Sequence, residues 1–238
     1  MVKHIIFDLG GVLINLNTQA TIDAFTHLGV SIKLDAPQLN AFETGELTEA
    51  EFYDFIRASQ TPNQSSVQPT TQITTQPTNQ ITTQSAIQST TQNSNQLLDQ
   101  PLSNSTIDAA WNKMLLDFPN NRLELLMKLK QAKINLYLLS NTNIIHHRCF
   151  EQTLLRQWNT HNFNGIMQGV YYSYQMGLRK PNPEIYNAVL QANSLPPTET
   201  LFIDDNQQNI LGAQQVGLTT IWLQPGQCIT ELGLDKVQ

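Results

Sequence analysis

The sequence predicts an α/β fold: an open, doubly wound parallel sheet that a small helical domain interrupts just after the first strand. Three observations carry this reading. Short apolar runs of strand character alternate with helical patterns, as parallel strands joined by crossover helices require. Residues 17–59 are helical in pattern, with no strand between the helices. A tract with glutamine at every fourth position, from Gln60 to Gln100, then breaks that helical stretch.

The first strand is KHIIF, residues 3–7, an apolar run that ends at Asp8 and the pair Gly10-Gly11. Residues 17–30 (NTQATIDAFTHLGV) and 46–59 (ELTEAEFYDFIRAS) read as helices. In the second, Thr48 and Glu51 form a capping box, and Phe52, Phe55 and Ile56 share one face. The tract that follows runs TPNQ SSVQ PTTQ ITTQ and onward, with no charged residue between Arg57 and Asp99. A period of four drifts around an α-helix, and Thr, Ser, Asn and Pro are poor helix formers. Its apolar content is too low to offset the entropy of ordering, so it is expected to be a disordered insert that carries none of the chemistry.

Beyond it, residues 106–116, with Trp111, resume the helical pattern. Residues 121–132 (NRLELLMKLKQA) form a further helix. NLYLL, residues 135–139, is a strand ending at Ser140, and residues 201–203 are a strand ending at Asp204. Helices over 183–192 and 207–216 are bounded by Pro183 at a start and Gly217 at a stop. TTIWL, residues 219–223, is the last strand. The expected organisation is a core of residues 1–15 and 115–238 and a helical cap of 16–114, itself interrupted by the insert at 60–100. A helical unit that emerges beside the first strand's carboxyl end is placed to act as a lid.

Composition narrows the function classes. Apolar residues make up 40% and charged residues 13%, both diluted by the glutamine tract, and the net charge is −6. No cluster of Lys or Arg exceeds two in a row, which argues against a nucleic-acid partner. Cys149 and Cys228 have neither disulfide-framework nor metal-site spacing. No run is long enough to span a membrane, and Asp8 interrupts the N-terminal apolar stretch, which makes it a poor signal peptide. A cytoplasmic protein with a small-molecule partner is expected.

In open parallel sheets, ligands bind beyond the carboxyl ends of the strands. Asp8, Ser140 and Asp204 all lie at that edge. An acid there is expensive to leave dry and unpaired. LLSNTN adds Asn141, GLRKP supplies Lys180 just before a helix, and FIDDNQQN supplies Asp205 and, a helical turn on, Asn209. Taken singly, each has an ordinary explanation as a cap, a turn or a solvated side chain. Together, a lysine, small polar donors and clustered carboxylates make a site for Mg²⁺ and a phosphate, since Mg²⁺ prefers oxygen ligands. The ion's charge is needed, because Asp8, Asp204 and Asp205 would otherwise repel one another and any phosphate.

These four stations, FDLGGVL, LLSNTN, RKP and FIDDNQQN in that order, resemble the motifs of the haloacid dehalogenase superfamily, most of whose members are Mg²⁺-dependent phosphatases. ETGELTEAEF and DAAWNKML are similar to cap segments of a subgroup that includes an α-D-glucose-1-phosphate phosphatase. The resemblance implies a Rossmann-like core with an inserted α-helical cap, and a small phosphorylated metabolite, a sugar phosphate by preference, as substrate. It makes Asp8 the nucleophile and a metal ligand, and the Gly10 carbonyl a second ligand. It assigns Asp205 to direct metal binding and Asp204 to binding through a water. Ser140, Asn141 and Lys180 would hold the phosphate with the Leu9 and Gly10 segment, and Asn209 would brace the acidic loop.

The commoner pattern has a second Asp two residues after the nucleophile, which protonates the departing alcohol. Here that position is Gly10, so general-acid assistance of about 10²–10⁴-fold is absent from it. A leaving group that needs less protonation, or a proton from water, a substrate hydroxyl or a cap residue, would compensate. Two other readings stand beside the phosphatase: a 2-haloacid dehalogenase, whose halide needs no proton, and a catalytically weak interaction protein using the Gln/Thr tract as a tether.

Overall fold

A computed structural model describes residues 2–61 and 101–234 of the chain. Most of the glutamine tract, expected as a disordered insert, lies outside the described residues. Its first two residues do not: Gln60 pairs with Val30, and the Thr61 amide donates to the Gly29 carbonyl at 2.9 Å.

Five parallel strands form one sheet: β1 (His4–Phe7), β2 (Asn135–Ser140), β3 (Gly169–Tyr172), β4 (Thr200–Asp204) and β5 (Thr219–Trp222). Their spatial order is β3-β2-β1-β4-β5. The chain therefore builds outward from β1 on one side, then crosses to the other. That reversal places the crevice of an open α/β sheet at the carboxyl end of β1. Phe7 is in register with Leu138 of β2 and Ile203 of β4, so the residues just after it come level with the ends of both neighbours.

Both faces of the sheet are covered, and strand alternation decides which residue goes where. Ile5, Phe7, Leu136, Leu138, Leu201 and Ile203 enter one apolar cluster. Ile6, Tyr137, Leu139 and Phe202 enter the other, against the helix Pro183–Ala192. Each such side chain contributes roughly 1.5–3 kcal/mol when fully buried.

A third cluster belongs to the helices between β1 and β2: α1 (Thr18–His27), α2 (Pro37–Glu43), α3 (Glu49–Ala58) and α4 (Asn104–Trp111). Its centre is aromatic, with Phe42 stacked on Phe52 at 4.3 Å between centroids and Trp111 tilted against Phe52 at 5.3 Å. The capping box at Thr48 and Glu51 starts α3. The two connections to the sheet run side by side. Leu16 pairs antiparallel with Leu115, and the Leu116 amide donates to the Asn15 carbonyl at 3.0 Å.

The helix after β2, α5 (Ile144–Trp158), ties this helical layer to the sheet. Ile145 enters the third cluster. Arg148 holds Glu49 of α3 with two hydrogen bonds, at 2.9 and 2.5 Å. His146 stacks on Trp111 at 4.7 Å, and its Nε2 donates to the Trp111 carbonyl at 3.1 Å. A carbonyl can only accept, so Nε2 carries the proton and Nδ1 accepts from Asn143 Nδ2 at 3.3 Å. Among the described residues, no helix is long and apolar enough to cross a membrane.

His146 predicts a pH dependence for this attachment. Burial pulls its pKa from an ordinary 6.5 down to about 4. Between those values the unfolded chain takes up a proton that the folded chain refuses. Stability is therefore full above pH 6.5 and declines as the pH falls toward 4, by up to about 1.4 kcal/mol per unit from this residue. Urea denaturation across that window should show the decline, and His146→Gln, which keeps a donor for the Trp111 carbonyl, should flatten it.

Candidate active site

The carboxyl ends of β2, β1 and β4 meet at one buried ammonium. Lys180 is 1% exposed. Its Nζ donates to Asp8 Oδ1 at 2.7 Å, to Asp204 Oδ2 at 2.7 Å and to the Leu139 carbonyl at 3.0 Å. One cation thus spans all three strands, and all three of its protons are used. Burial works against the charge on Lys180, but the carboxylates of Asp204 and Asp8 outweigh it and hold the amine above its ordinary value.

Each carboxylate has its own setting. Asp204 is fully buried. Besides Lys180, it accepts from the Asn206 amide at 2.8 Å and from Asn209 Nδ2 at 3.1 and 3.0 Å, so Asn209 braces both of its oxygens. Asp8 is 8% exposed. Burial pushes its carboxyl up to about 8; the Lys180 charge opposes this, and Asp204 and Asp205 reinforce it. Asp205 is exposed and is raised to about 6, chiefly by desolvation and then by Asp204. Its carboxylate lies so close to Gly11 that a Cβ there would stand 2.1 Å from Oδ2. Gly11 also has φ +69°, which other residues rarely adopt.

Oxygen atoms of Asp8, Asp204 and Asp205 lie within 4.8 Å of one another. Three converging carboxylates with a single ammonium among them suit a hard divalent cation, and an all-oxygen donor set suits Mg²⁺.

Ser140 is buried at the end of β2. The Asn141 carboxamide is engaged elsewhere than the sequence suggests. Its Oδ1 accepts from the Lys180 amide and its Nδ2 donates to the Lys180 carbonyl, both at 2.9 Å. This reciprocal pair fixes the backbone from which the Lys180 side chain reaches inward. Ser173, which the sequence reading passes over, braces the same loop through the Thr142 amide at 2.9 Å.

A cavity of about 380 Å³ opens over these groups, with Asp8, Leu9, Gly10, Ser140, Asn141, Lys180, Asp205 and Asn209 in its wall. The helical layer adds Leu34, Leu39, Trp111 and Met114, together with one acid, Glu43. The Glu43 carboxylate meets Arg179 of the sheet domain at 2.8 Å. Arg179 is a residue that sequence reasoning missed, although it adjoins Lys180 in GLRKP. A neighbouring cavity of about 560 Å³ shares Asp205 but reaches neither Asp8 nor Lys180, so the smaller one is the candidate site.

Comparison with known proteins agrees with this geometry. A profile described as haloacid dehalogenase-like hydrolase matches residues 2–217. The crystal structure of the HAD family enzyme BT-2542 from Bacteroides thetaiotaomicron, in complex with magnesium and inorganic phosphate, is 31% identical and superimposes with a TM-score of 0.72, covering 98% of this chain and 100% of that one. A D-ribitol-5-phosphate phosphatase from Bacteroides thetaiotaomicron is 25% identical over 229 residues, 92% of this chain and 91% of that protein. An L-2-haloacid dehalogenase, RSc1362, 19% identical with a TM-score of 0.54 over 93% of this chain and 86% of that one, shares the fold. The chain belongs to the haloacid dehalogenase-like hydrolase family.

Proposed function

We propose that this hydrolase is a Mg²⁺-dependent phosphatase that cleaves the monoester of a small phosphorylated metabolite through an aspartyl-phosphate. The observation that carries the reading is the convergence of Asp8, Asp204 and Asp205 around one cavity, with Lys180 bonded to the first two. The names of the relatives support it, one a D-ribitol-5-phosphate phosphatase and one crystallised with magnesium and phosphate.

Asp8 is the nucleophile. Lys180 occupies Oδ1, which leaves Oδ2 to attack phosphorus. As that bond forms, the bond from phosphorus to the ester oxygen breaks and the alcohol departs; water then hydrolyses the acyl phosphate and restores Asp8. Asp8, Asp205 and the Gly10 carbonyl would hold the metal, with Asp204 behind them. Bound there, Mg²⁺ supplies positive charge against the carboxylates and the phosphoryl oxygens. The Ser140 hydroxyl and the backbone of residues 9, 10 and 141 receive the phosphate oxygens. The Lys180 charge opposes the protonation that burial imposes on Asp8, and the positive charge of a bound Mg²⁺ would add to that opposition. The helical layer closes the cavity and limits water.

A screen of phosphorylated metabolites, ribitol 5-phosphate first among them, should show phosphate release with Mg²⁺ and none with a chelator. Asp8→Asn should lower kcat by about 10³-fold or more while the circular dichroism spectrum stays that of wild type. Chelator-resistant release of halide from a 2-haloacid would overturn the reading.

Lys180 has a separate, structural consequence. Lys180→Met leaves two buried carboxylates facing each other and should destabilise the metal-free protein by about 3–5 kcal/mol in urea denaturation. Adding Asp8→Asn to that variant should recover part of the loss, because one of the uncompensated charges is gone.

A further inference from the structure

The cavity wall combines two chemistries. One is the phosphate machinery. The other, supplied largely by the helical layer, is mostly apolar, yet Glu43 of that layer and Arg179, which adjoins Lys180, add one charge each. We infer that this pair is the subsite for the alcohol half of the substrate, and that it selects an uncharged, polyhydroxylated chain over one bearing a second anion. The inference rests on the phosphatase reading and deepens it.

Three observations support it. First, the pair is not needed as a clasp: Arg148 and Glu49 already join α5 to α3 with two hydrogen bonds, and neither lines the cavity. Second, the pair is incomplete. Among the described residues, Arg179 Nη2 donates to Glu43 Oε2 alone, and both side chains stay about a quarter exposed, at 28% and 27%. Donor and acceptor positions on both are therefore left for a ligand hydroxyl to meet. Third, the charges cancel locally. Glu43 offsets the guanidinium, so a second phosphate or a carboxylate on the substrate would meet the Glu43 charge as well as that of Arg179. A hydroxyl accepts from Arg179 and donates to Glu43, which matches both. The cavity, at about 380 Å³, suits a small metabolite.

The test compares three phosphate esters on the Mg²⁺-loaded enzyme: ribitol 5-phosphate, 2-phosphoglycolate, which carries a second anion, and p-nitrophenyl phosphate, whose leaving group has no hydroxyls. Glu43→Gln keeps the shape and removes the charge. It should lower kcat/KM for ribitol 5-phosphate by about 10- to 100-fold, the range for a lost charge-assisted hydrogen bond, mainly through KM. It should leave p-nitrophenyl phosphate within about 2-fold and raise kcat/KM for 2-phosphoglycolate, because Arg179 is freed for the anion. Arg179→Lys should lose ribitol 5-phosphate without gaining 2-phosphoglycolate, and Glu49→Gln, which weakens only the clasp, should spare all three ratios. Equal losses on all three esters in Glu43→Gln would overturn the subsite and make the pair a second clasp, and so would no change on any of them. A wild-type enzyme that hydrolyses no ester would instead overturn the phosphatase reading, and the subsite with it.

Discussion

A single ammonium sets the terms for the rest of the site. Two carboxylates about 4 Å apart repel by about 4 kcal/mol at an effective dielectric near 20, and burial adds a desolvation cost for each. Asp8 and Asp204 come from adjacent strands whose register brings them level, so the sheet itself creates the conflict. Lys180 Nζ resolves it by sitting between them and on the Leu139 carbonyl. The surrounding polar contacts then serve that position: Asn141 holds the lysine's backbone, and Asn209 holds the far side of Asp204. The compensation is partial. With all three carboxylates ionised, one ammonium leaves two negative charges in the cluster. That remainder is what a divalent cation neutralises, and it explains why the site is unsuited to a dianionic phosphate until such a cation is bound.

The helical layer has a different economy. It has its own aromatic cluster around Phe52 and Trp111, which Ile145 of α5 joins from the sheet side. Its attachments include two antiparallel connections at Leu16 and Leu115, the Arg148–Glu49 pair, the neutral His146 and the Glu43–Arg179 pair. The described residues that border the glutamine tract also belong to this layer. Gln60 pairs with Val30, and Arg57 Nε donates to the Leu102 carbonyl at 2.9 Å on the returning side. Neither end lines the cavity. A long excursion between two anchored ends costs the fold little, since closure entropy grows only slowly with length.

The strand ends were the most legible feature of the sequence. β1, β2 and β4 are apolar runs that stop at an Asp or a Ser, and in a buried parallel sheet that is where the chain meets solvent and ligand. β3 was not legible. GVYY is a half-buried edge strand of four residues, too short to show a period. The helix Ile144–Trp158 was missed because its sequence, IIHHRCFEQTLLRQW, mixes charged and apolar residues with a weak stripe, and α2 because seven residues give barely two turns. In the site, residue types pointed to the chemistry, but the partners are non-local. Lys180 and Asp8 are 172 positions apart, and no local pattern shows that one amine serves both acids. Asn141 illustrates the limit: the sequence offers a carboxamide near a phosphate site, and only the fold reveals that the Lys180 backbone uses both of its ends. Arg179 meets Glu43 across 136 positions, and that pairing likewise exists only once the helical layer is seated.

Gly10 stands beside the connection between the helical layer and the sheet. A Cβ built there would come within 2.8 Å of Leu16 Cδ1. That atom is the free end of an exposed side chain, and Leu16 pairs with Leu115 through the backbone, so a small rotation of the leucine would admit a larger residue at position 10. With no acid at that position, the departing alkoxide would draw its proton from water, from the substrate's own hydroxyls or from a cap residue. A hydroxyl next to the ester oxygen would stabilise the developing charge through an internal hydrogen bond, at no cost in bringing a second molecule into the cavity.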